Sequence, residues 1–370
     1  MNRMSGIIFS NIYDGELGEL TSKRTVASLP FGGRYRQIDF TLSSMVNSNI
    51  TSVGVITKYN YSSLMNHLGS SEEWDLNRKN GGIYIIPPFA SGRSDVYHGK
   101  LDALHSAMNF IKSQKTEYIV LSDTIAICNI DYREVLHSHI KSKKDITAVC
   151  IKPQNSDTYP AVYELNDRGE TKSIGINTPA KENQLAGFGM YIIERERLIK
   201  EVTECVSAGF YHFEKDFLQK FFNDHKLSVN IYEFKGVVLR NKDISSYLEN
   251  NLKLVCEDIR RDLFKESSPV YTKVHDELPT YYGDNSVASE CIVADGCEIN
   301  GEIDSSVLFR GVKIMEGAKI TGSVIMQGSK IGKGAYIENA IIDKNVTITD
   351  GTRLIGAKNS PVIVKKGEII

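Results

Sequence analysis

A repeat of about 17 residues in the last third of the chain constrains its fold more than any other sequence feature. Inside one repeat the apolar positions lie six, six and five residues apart, as in Ile314, Ile320, Ile325 and Ile331. This hexapeptide spacing is typical of a parallel β-helix with a triangular cross-section. Three apolar columns recur together, namely Leu308, Ile325 and Ile342; Ile314, Ile331 and Ile348; and Ile320, Ile337 and Leu354. The sequence therefore predicts a parallel β-helix with three faces.

Two columns of turn residues share the period of the apolar columns. They are Gly311, Gly328 and Asn345, and Gly317, Gly334 and Gly351. Corners with positive φ favour Gly, and Asn is the next most tolerant residue. An ordinary β-sandwich would need period-2 alternation and hairpin turns at variable spacing, which does not produce such columns. Because one coil cannot bury its inner face alone, the coils must stack, and an exposed end or flat face of the stack is expected to join subunits.

The six cysteines are predicted to be buried, reduced thiols. They are Cys128, Cys150, Cys205, Cys256, Cys291 and Cys297, with no CxxC pair among them. Such wide spacing fits neither a disulfide framework nor a zinc site. Cys291 and Cys297 lie one period before Leu308 and Ile314, so we expect them to occupy the same inner columns in a less regular first coil.

The first part of the chain alternates apolar runs with helical patterns. The runs at residues 4–9, 51–57 and 117–122 are short and nearly continuous, which is typical of buried parallel strands. Residues 37–47 and 100–111 each place apolar side chains on one face of a helix. This alternation predicts a Rossmann-like α/β domain with a mostly parallel sheet.

The predicted site of this domain lies at one edge of its sheet. Ligands bind parallel sheets at the carboxyl ends of the strands, so the loops after Phe9, Thr57 and Ser122 are expected to line a pocket. A further helical pattern runs from Ile244 to about Phe264. The predicted organisation is therefore an α/β domain over residues 1–243, a bridging helix and linker over 244–284, and the β-helix over 285–370.

Charge and hydropathy exclude several function classes. The formal net charge is −2 and the pI is near 6.5, so no overall field draws the chain to nucleic acid or to an anionic membrane. No apolar run approaches the roughly 20 residues of a spanning helix. The start of the chain shows no secretory pattern, and a cytoplasmic location is expected.

Several motifs resemble one enzyme family along essentially the whole chain. They are Leu29-Pro-Phe-Gly-Gly-Arg-Tyr-Arg-Gln-Ile-Asp-Phe40, Val53-Gly-Val-Ile-Thr57, Trp74-Asp-Leu-Asn-Arg-Lys-Asn-Gly-Gly82, Ile130-Asp-Tyr132 and Gly189-Met-Tyr191. Together they resemble the sugar-1-phosphate nucleotidyltransferases, specifically bacterial ADP-glucose pyrophosphorylase, also called glucose-1-phosphate adenylyltransferase. The resemblance implies a nucleotidyltransferase domain followed by a left-handed β-helix. It also implies tetramers, Mg²⁺, and the synthesis of ADP-glucose from ATP and glucose 1-phosphate for glycogen.

The phosphate-binding loop departs from the family pattern. Family members carry Gly-Gly-x-Gly-Thr-Arg after the first strand, so that backbone N–H groups can approach the phosphates. Counting back from Lys23 and Arg24, this chain has Asn11, Ile12 and Asp14 at the glycines and Glu16 at the arginine. A carboxylate at that position repels a triphosphate, because like charges repel.

Other positions lose cations or metal ligands by the same comparison. Val26 stands at the lysine of the family's Arg-Ala-Lys-Pro, and Asn177-Thr-Pro179 aligns with the sugar-binding Glu-Lys-Pro. Asp123, at the strand end whose aspartate binds the metal, lies two residues further from Asp131 than the family spacing allows. Arg240 aligns with the second metal aspartate. Lys100, preceded by His98 and Gly99 and followed by Asp102, replaces a threonine of the segment Tyr-Arg-Gly-Thr-Ala-Asp-Ala; capping and packing also explain these three neighbours.

These losses predict a non-catalytic chain with no catalytic residues and no cofactor of its own. Removing one preorganised electrostatic contact costs about 100- to 1,000-fold in rate, and here a clamp, a cradle and a metal ligand are lost together. Among family members the chain looks like the GlgD-type regulatory subunits. The resemblance implies a heterotetramer with a catalytic GlgC-type subunit, which would hold the Mg²⁺; self-association stays open.

A basic cluster is the candidate effector site. Lys23, Arg24, Arg34 and Arg36 lie close together in the sequence. In the family, the positions matching Arg24 and Arg36 contribute to an allosteric anion site near the domain junction, so a sugar-phosphate effector is implied. The alternative is a solvated basic face.

Two other functions remain as alternatives to a regulatory subunit. One is an active adenylyltransferase in which Asp123 and other groups rebuild the site. The other is a hexapeptide-repeat acyltransferase, which usually places a catalytic histidine between coils. No histidine follows His275, which disfavours the acyltransferase.

Overall fold

The computed structural model of the chain describes residues 3–11, 14–88, 97–153 and 157–370. Two of the residues discussed above fall outside this description, since Ile12 and the side chain of Asp14 are not part of it.

A nine-stranded sheet forms the centre of the N-terminal domain. The strands of this domain are β1 (Met4–Phe9), β2 (Pro30–Phe31), β3 (Tyr35–Arg36), β4 (Ser52–Ile56), β5 (Gly82–Ile86), β6 (Tyr118–Asp123), β7 (Ala126–Ile127), β8 (Ile146–Ile151), β9 (Thr158–Leu165), β10 (Thr171–Pro179), β11 (Gln184–Glu194), β12 (Val229–Glu233) and β13 (Leu239–Arg240). The main path of the sheet is β10-β9-β11-β6-β1-β4-β5, and β8 joins β11 to β12.

The sheet has a parallel part and an antiparallel part. The three predicted strands are β1, β4 and β6; they lie side by side and run parallel, with β5 beside β4. On the other side, β11 runs antiparallel to β6, β8 and β9. The Rossmann-like half is therefore confirmed, and the antiparallel strands extend it into a mixed sheet.

Helices cover both faces of this sheet or lie beside it. They are α1 (Gln37–Asn47), α2 (Ser62–Leu68), α3 (Lys100–Ser106), α4 (Met108–Ser113), α5 (Tyr132–Ser142), α6 (Arg195–Ser207), α7 (Lys220–Asn223), α8 (Ile244–Lys253) and α9 (Glu257–Leu263). Shorter helical turns cover Asp14–Thr21, Val26–Ser28 and Glu72–Trp74, and a π-helical turn covers Phe213–Gln219. The predicted helix over 37–47 is α1, whereas the pattern over 100–111 is divided into α3 and α4 at Ala107.

The prediction of one helix from Ile244 to about Phe264 is wrong. Helix α8 ends at Lys253, and α9 begins at Glu257 after a tight turn in which Cys256 adopts an extended backbone. The break allows Leu254 and Leu263, from the two sides of the turn, to enter the same buried cluster. Packing has therefore overridden the continuous helical pattern.

Three parallel sheets of five strands form the C-terminal domain. The first sheet contains β14 (Tyr281–Tyr282), β17 (Glu298–Ile299), β20 (Lys313–Ile314), β23 (Lys330–Ile331) and β26 (Thr347–Ile348). The second contains β15 (Val287–Ser289), β18 (Glu302–Asp304), β21 (Lys319–Thr321), β24 (Tyr336–Glu338) and β27 (Arg353–Ile355). The third contains β16 (Ile292–Val293), β19 (Val307–Leu308), β22 (Val324–Ile325), β25 (Ala340–Ile342) and β28 (Val362–Val364). The prediction of a left-handed β-helix agrees with these sheets, which begin at Tyr281, ahead of residue 285.

The register confirms the predicted columns from the second coil onward. Leu308 lies beside Ile325, and Ile325 beside Ile342, with the side chains buried. The turn columns have positive φ, for example 66° at Gly311 and 57° at Asn345. These values explain why Gly and Asn recur at the corners.

The expected register of the first coil is wrong. Val293, not Cys291, lies beside Leu308, and Ile299, not Cys297, lies beside Ile314. The first coil is therefore shorter than the period of the later coils. Cys291 and Cys297 lie outside the predicted columns, although both still contact the apolar interior of the coil. Four cysteines are buried as predicted, whereas Cys291 is partly exposed and Cys256 is exposed; none of the six forms a disulfide.

The third sheet of the β-helix packs against the N-terminal domain. Its outward-facing Val307, Val324 and Ile341 join one buried cluster with Phe31 and Tyr247. Its inward-facing side chains fill the interior of the coil. Since both faces of this sheet are covered, the two domains share a continuous apolar interface. Within the ranges given above, no helix is long and apolar enough to cross a membrane.

Candidate functional site

A cleft opens at the carboxyl ends of β1 and β4, where the sequence predicted it. Its walls include Phe9, Asn11, Ile56, Lys58 and Gly99. The Asn11 side chain donates to the Tyr59 carbonyl at 3.1 Å and accepts from the Lys58 N–H at 2.8 Å. At a position where the resemblance implies a phosphate-binding glycine, a side chain thus ties the two loops together.

A second cavity, which we call the charged cleft, carries carboxylates as well as cations. Its ionisable lining residues are Glu16, Asp157, Arg240, Lys242 and Asp243. The volume is about 580 Å³, which is within the range of small-molecule sites. Three carboxylates face two cations, so the lining attracts a polyphosphate weakly at best.

Both cations of the charged cleft already have partners. The Arg240 guanidinium lies 4.3 Å from the centre of the Tyr159 ring and donates to the Thr158 carbonyl at 3.3 and 3.4 Å. Lys242 forms an ion pair of 2.5 Å with Asp157. Stacking and pairing hold these side chains against the wall of the cleft.

Val26 lies in the core rather than in the cleft. It is fully buried, in the short turn Val26–Ser28, together with Leu17, Leu20 and Leu29. The position of the family's lysine therefore presents no polar group to a ligand. A lysine here would have to bury its charge in an apolar cluster, which costs several kcal/mol.

A buried ion cluster joins three distant segments beside the cleft. The Lys100 ammonium donates to Asp123 Oδ2 at 2.7 Å and to Glu214 Oε1 at 2.5 Å. The side chains of Lys100, Asp123 and Glu214 are 6%, 1% and 14% exposed. We call these three residues the lysine cluster. In the sequence, Lys100 stands out only as a departure from the family pattern, and nothing local identifies its two partners.

The position before Lys100 accepts only glycine, because the neighbouring backbone leaves no room for a side chain. A Cβ atom on Gly99 would come within 2.3 Å of the Tyr211 carbonyl oxygen. Leu101 N–H donates to that same oxygen at 2.9 Å, and Asp102 accepts from the His98 N–H at 3.2 Å. The structure thus gives Gly99 and Asp102 the packing and capping roles that the sequence left as an alternative.

A small cavity, which we call the junction pocket, lies between the two domains. It is about 40 Å³ in volume, large enough for a few water-sized groups. Its basic and imidazole side chains are Arg34, Arg36, His67, His275, Arg310 and Lys344, and no carboxylate is among its lining residues. Such a lining attracts an anion.

Burial and mutual repulsion shift the pKa values of several of these groups. Burial is the main cause that lowers the pKa of Lys344 to about 7, and the nearby charges of Arg36 and Arg24 add to it. Burial likewise lowers the pKa of Arg36 to about 10 and is the main cause of a lowered pKa at His275. A bound anion would relieve this repulsion.

Arg310 contributes a hydrogen-bond donor that the described residues do not satisfy. The residue is 5% exposed, and its Nε donates to Asp295 at 3.3 Å. Its Nη2 is buried and has no hydrogen-bond partner within the described part of the chain. Buried donors are normally paired, so this atom marks a place for an acceptor.

Comparison with known protein families decides the relationship that the motifs suggested. Residues 15–237 match the family described as nucleotidyl transferase, which is more than half of the chain. The chain belongs to the nucleotidyltransferase family. Residues 277–360 of this nucleotidyltransferase also match the GlmU-like C-terminal hexapeptide domain, in agreement with the β-helix.

The curated relatives of this nucleotidyltransferase are named for glycogen biosynthesis and adenylyl transfer. Glycogen biosynthesis protein GlgD of Bacillus subtilis is 34% identical, over 99% of this chain and 96% of its own length. Glycogen biosynthesis protein GlgD of Geobacillus stearothermophilus is 36% identical, over 100% and 97%. Glucose-1-phosphate adenylyltransferase of Thermosipho melanesiensis is 32% identical, over 86% and 78%. The resemblance to this family is therefore confirmed.

The residues of this nucleotidyltransferase do not fit the Mg²⁺ ion that the resemblance implies. The Asp123 carboxylate accepts from an ammonium, and Arg240, which the resemblance aligns with the second metal aspartate, brings a cation to the charged cleft. Asp131 caps α5 and is paired with Arg133 at 2.7 Å. Throughout the described ranges, no group of three or more Asp, Glu, His or Cys residues is placed to hold a metal ion.

The two predicted effector residues lie close together but differ in their contacts. Arg36 lines the junction pocket and donates to the Ser63 carbonyl at 2.9 Å. Arg24 is not among the lining residues; it is 4% exposed and donates to both carboxylate oxygens of Asp343 at 2.8 Å. Arg34 of the predicted basic cluster also lines the pocket. The remaining lining groups, His67, His275, Arg310 and Lys344, come from segments far apart in the chain, so no local pattern could have revealed them.

Proposed function

We propose that this chain is a regulatory subunit of a glucose-1-phosphate adenylyltransferase, with little or no catalysis of its own. It would assemble with a catalytic subunit and adjust the synthesis of ADP-glucose for glycogen. The observation that carries the proposal is the charged cleft, in which Glu16, Asp157 and Asp243 outnumber the two cations. Its relatives' names, glycogen biosynthesis protein and glucose-1-phosphate adenylyltransferase, support the pathway.

The charges of the cleft determine how much turnover this chain could sustain. Attack on the α-phosphorus of ATP develops negative charge, which cations and preorganised donors must stabilise. Each such contact is worth about 100- to 1,000-fold in rate. Burial of Val26 and the stacking of Arg240 on Tyr159 leave two of the expected contacts absent. The remaining groups would sustain only a small fraction of normal turnover.

The first prediction concerns turnover of the purified chain. With Mg²⁺, ATP and glucose 1-phosphate, we expect pyrophosphate release at the rate of the enzyme-free control. Co-expression with a catalytic adenylyltransferase subunit should give a complex by size exclusion and change its maximal rate, substrate affinity or effector response. Robust turnover of this chain alone would favour an active adenylyltransferase instead, and absence of any complex would contradict the regulatory role.

The exposed first coil supports assembly with another subunit. Leu278 is 80% exposed and Tyr281 is 58% exposed, and both lie at the beginning of the β-helix. In the described part of the chain, β14, β15 and β16 each pair with the next coil only, so one edge of each strand is open. Open strand edges with exposed apolar side chains favour association. We assign this surface to the catalytic subunit.

We further propose that the junction pocket binds the phosphate group of a sugar-phosphate effector. Arg36, Arg310 and Lys344 would contact the anion, and the unsatisfied Nη2 of Arg310 would donate to it. Arg24 would act indirectly, because its ion pair with Asp343 fixes the residue next to Lys344. The position of the pocket between the domains would let the effector change their packing.

The second prediction is that anion binding to the junction pocket weakens as the pH rises above 7. Because the pKa of Lys344 is about 7 and an anion favours its charged form, binding takes up a proton. Affinity should therefore fall by up to about tenfold per pH unit between pH 7 and 8.5, as Lys344 loses its charge in the free pocket. Sulfate is the suitable probe, since its own charge does not change in this range. Isothermal titration at several pH values measures the effect.

The control for this prediction is Lys344→Met, which should bind sulfate more weakly and lose most of the pH dependence between pH 7 and 8.5. The groups that act on Lys344 are Arg24, Arg36, Asp343 and Lys366. His275 has a lowered pKa and titrates below this interval, so it does not produce the same profile. Equal sulfate affinity of the unmodified chain at pH 7 and 8.5 would contradict the assignment.

A further inference from the structure

We propose that the Lys100 ammonium is a built-in cation that takes the place of a divalent metal ion at the cleft. In this view the side chain neutralises Asp123 and Glu214 permanently and keeps a metal ion from binding there. The inference rests on the proposed regulatory function and deepens it, because it states how the cleft remains stable without the ion. It is tested by metal binding rather than by turnover.

The geometry supports a site made for one cation. Asp123 is the last residue of β6, and Glu214 belongs to the π-helical turn Phe213–Gln219, so two separate elements bring their carboxylates together. One nitrogen donates a hydrogen bond to each of them, at 2.7 and 2.5 Å. Carboxylate oxygens are the ligands that divalent cations prefer, so the ammonium takes the position between two such ligands.

The electrostatics require a cation at this position. All three side chains are largely buried, and two neighbouring buried carboxylates repel each other unless a positive charge lies between them. Lys100 provides that charge from the first residue of α3. Its ammonium also lies 5.6 Å from the centre of the Phe9 ring, which adds a cation–π contact.

The covalent attachment of Lys100 gives it an advantage over a free ion. The backbone on both sides is fixed, since Gly99 packs on the Tyr211 carbonyl and Leu101 N–H donates to it. The segment before Glu214 is fixed as well, because the Tyr211 and His212 N–H groups donate to Asp216 at 3.1 and 2.9 Å. A tethered cation has a high effective concentration, and a metal ion would have to leave the ammonium buried and unpaired.

The decisive experiment compares the unmodified chain with Lys100→Met, using Mn²⁺ as the probe. The midpoint of thermal unfolding of the unmodified chain should not change with up to millimolar Mn²⁺, and electron paramagnetic resonance should show all the Mn²⁺ free. Lys100→Met should lower the midpoint by roughly 6–20 °C without metal, because two buried carboxylates lose their partner. Mn²⁺ should bind to this variant at one site and restore at least half of the loss.

Two control variants separate metal binding from general damage. Lys100→Arg retains a positive charge and should not bind Mn²⁺. Lys100→Met combined with Asp123→Asn and Glu214→Gln removes the carboxylates, so its midpoint should not respond to Mn²⁺. If Lys100→Met is unfolded without metal, purification in Mn²⁺ should give a folded chain that unfolds on chelation.

Two results would overturn the inference. The first is stoichiometric Mn²⁺ binding by the unmodified chain that Asp123→Asn abolishes. The second is a Lys100→Met variant whose folding and midpoint do not depend on Mn²⁺. Either result would leave the proposed regulatory function standing, whereas robust turnover of the unmodified chain would overturn that function independently.

Discussion

Gly189→Ala should destabilise the N-terminal domain by about 4 kcal/mol or more, because two costs fall on one position. Gly189 lies in β11 with φ of 85°, where the register with β8 shifts, as at a β-bulge. A Cβ atom there would come within 2.0 Å of Asp123 Oδ2. The left-handed backbone costs an L residue about 1–2 kcal/mol, and displacing Asp123 from Lys100 adds about 3–5 kcal/mol, the cost of a broken buried pair.

Gly209→Ala is the matched control for Gly189→Ala. Gly209 has a similar φ of 79°, but a Cβ atom there would meet no atom within 4 Å. Its cost should be limited to the backbone, about 1–2 kcal/mol. In a domain of this size each kcal/mol lowers the thermal midpoint by roughly 2–4 °C, so calorimetry resolves the difference. Equal midpoints for the two variants would show that Asp123 is not held against Gly189.

Arg24→Met should cost about 3–5 kcal/mol and weaken the packing of the β-helix on the N-terminal domain. Asp343, which is 3% exposed, would remain buried without the guanidinium that donates to both of its oxygens. The pair joins the two domains, so its loss should separate their unfolding into two transitions. Urea unfolding followed by fluorescence measures the free energy of unfolding. Thermal unfolding followed by calorimetry shows whether one or two transitions occur.

Two further variants test whether the charge of Asp343 causes this loss. Arg24→Met combined with Asp343→Asn removes both charges, while the amide oxygen can still accept from the Lys344 N–H that now donates to Asp343. This double variant should recover most of the stability. Lys313→Met breaks the exposed pair with Glu298 and should cost no more than about 1 kcal/mol. A loss for Arg24→Met no larger than this would contradict the prediction.

The periodic parts of the fold were predictable because their pattern is local. Each apolar column of the β-helix needs one residue per coil, and each corner needs a residue that tolerates positive φ, so Ile325 and Gly328 identify their own places. Helix α1 was predictable for the same reason, since its apolar face repeats within eleven residues. The register of the first coil was not predictable, because a repeat length is visible only when it recurs, and this shorter coil occurs once.

The sites were predictable only where the sequence shows a change of charge. Against the pattern of the family that the chain resembles, Glu16, Val26 and Arg240 predicted a changed cleft; the structure places Glu16 and Arg240 together and Val26 in the core. The residues that contact the changed positions could not be predicted from the sequence. Lys100 is a helix-starting residue by its sequence context, and its contacts with Asp123 and Glu214 span long stretches of chain.

The sequence by itself determined the two-domain plan, the three-faced parallel coil and the family, because apolar periodicity and motif spacing are properties of short segments. Tertiary structure alone decided which charges meet. It brought Arg36, Arg310 and Lys344 from both domains to the junction pocket, and it placed one ammonium between two carboxylates in the lysine cluster. Electrostatic energy depends on distances and burial in space, and the order of residues along a chain contains neither.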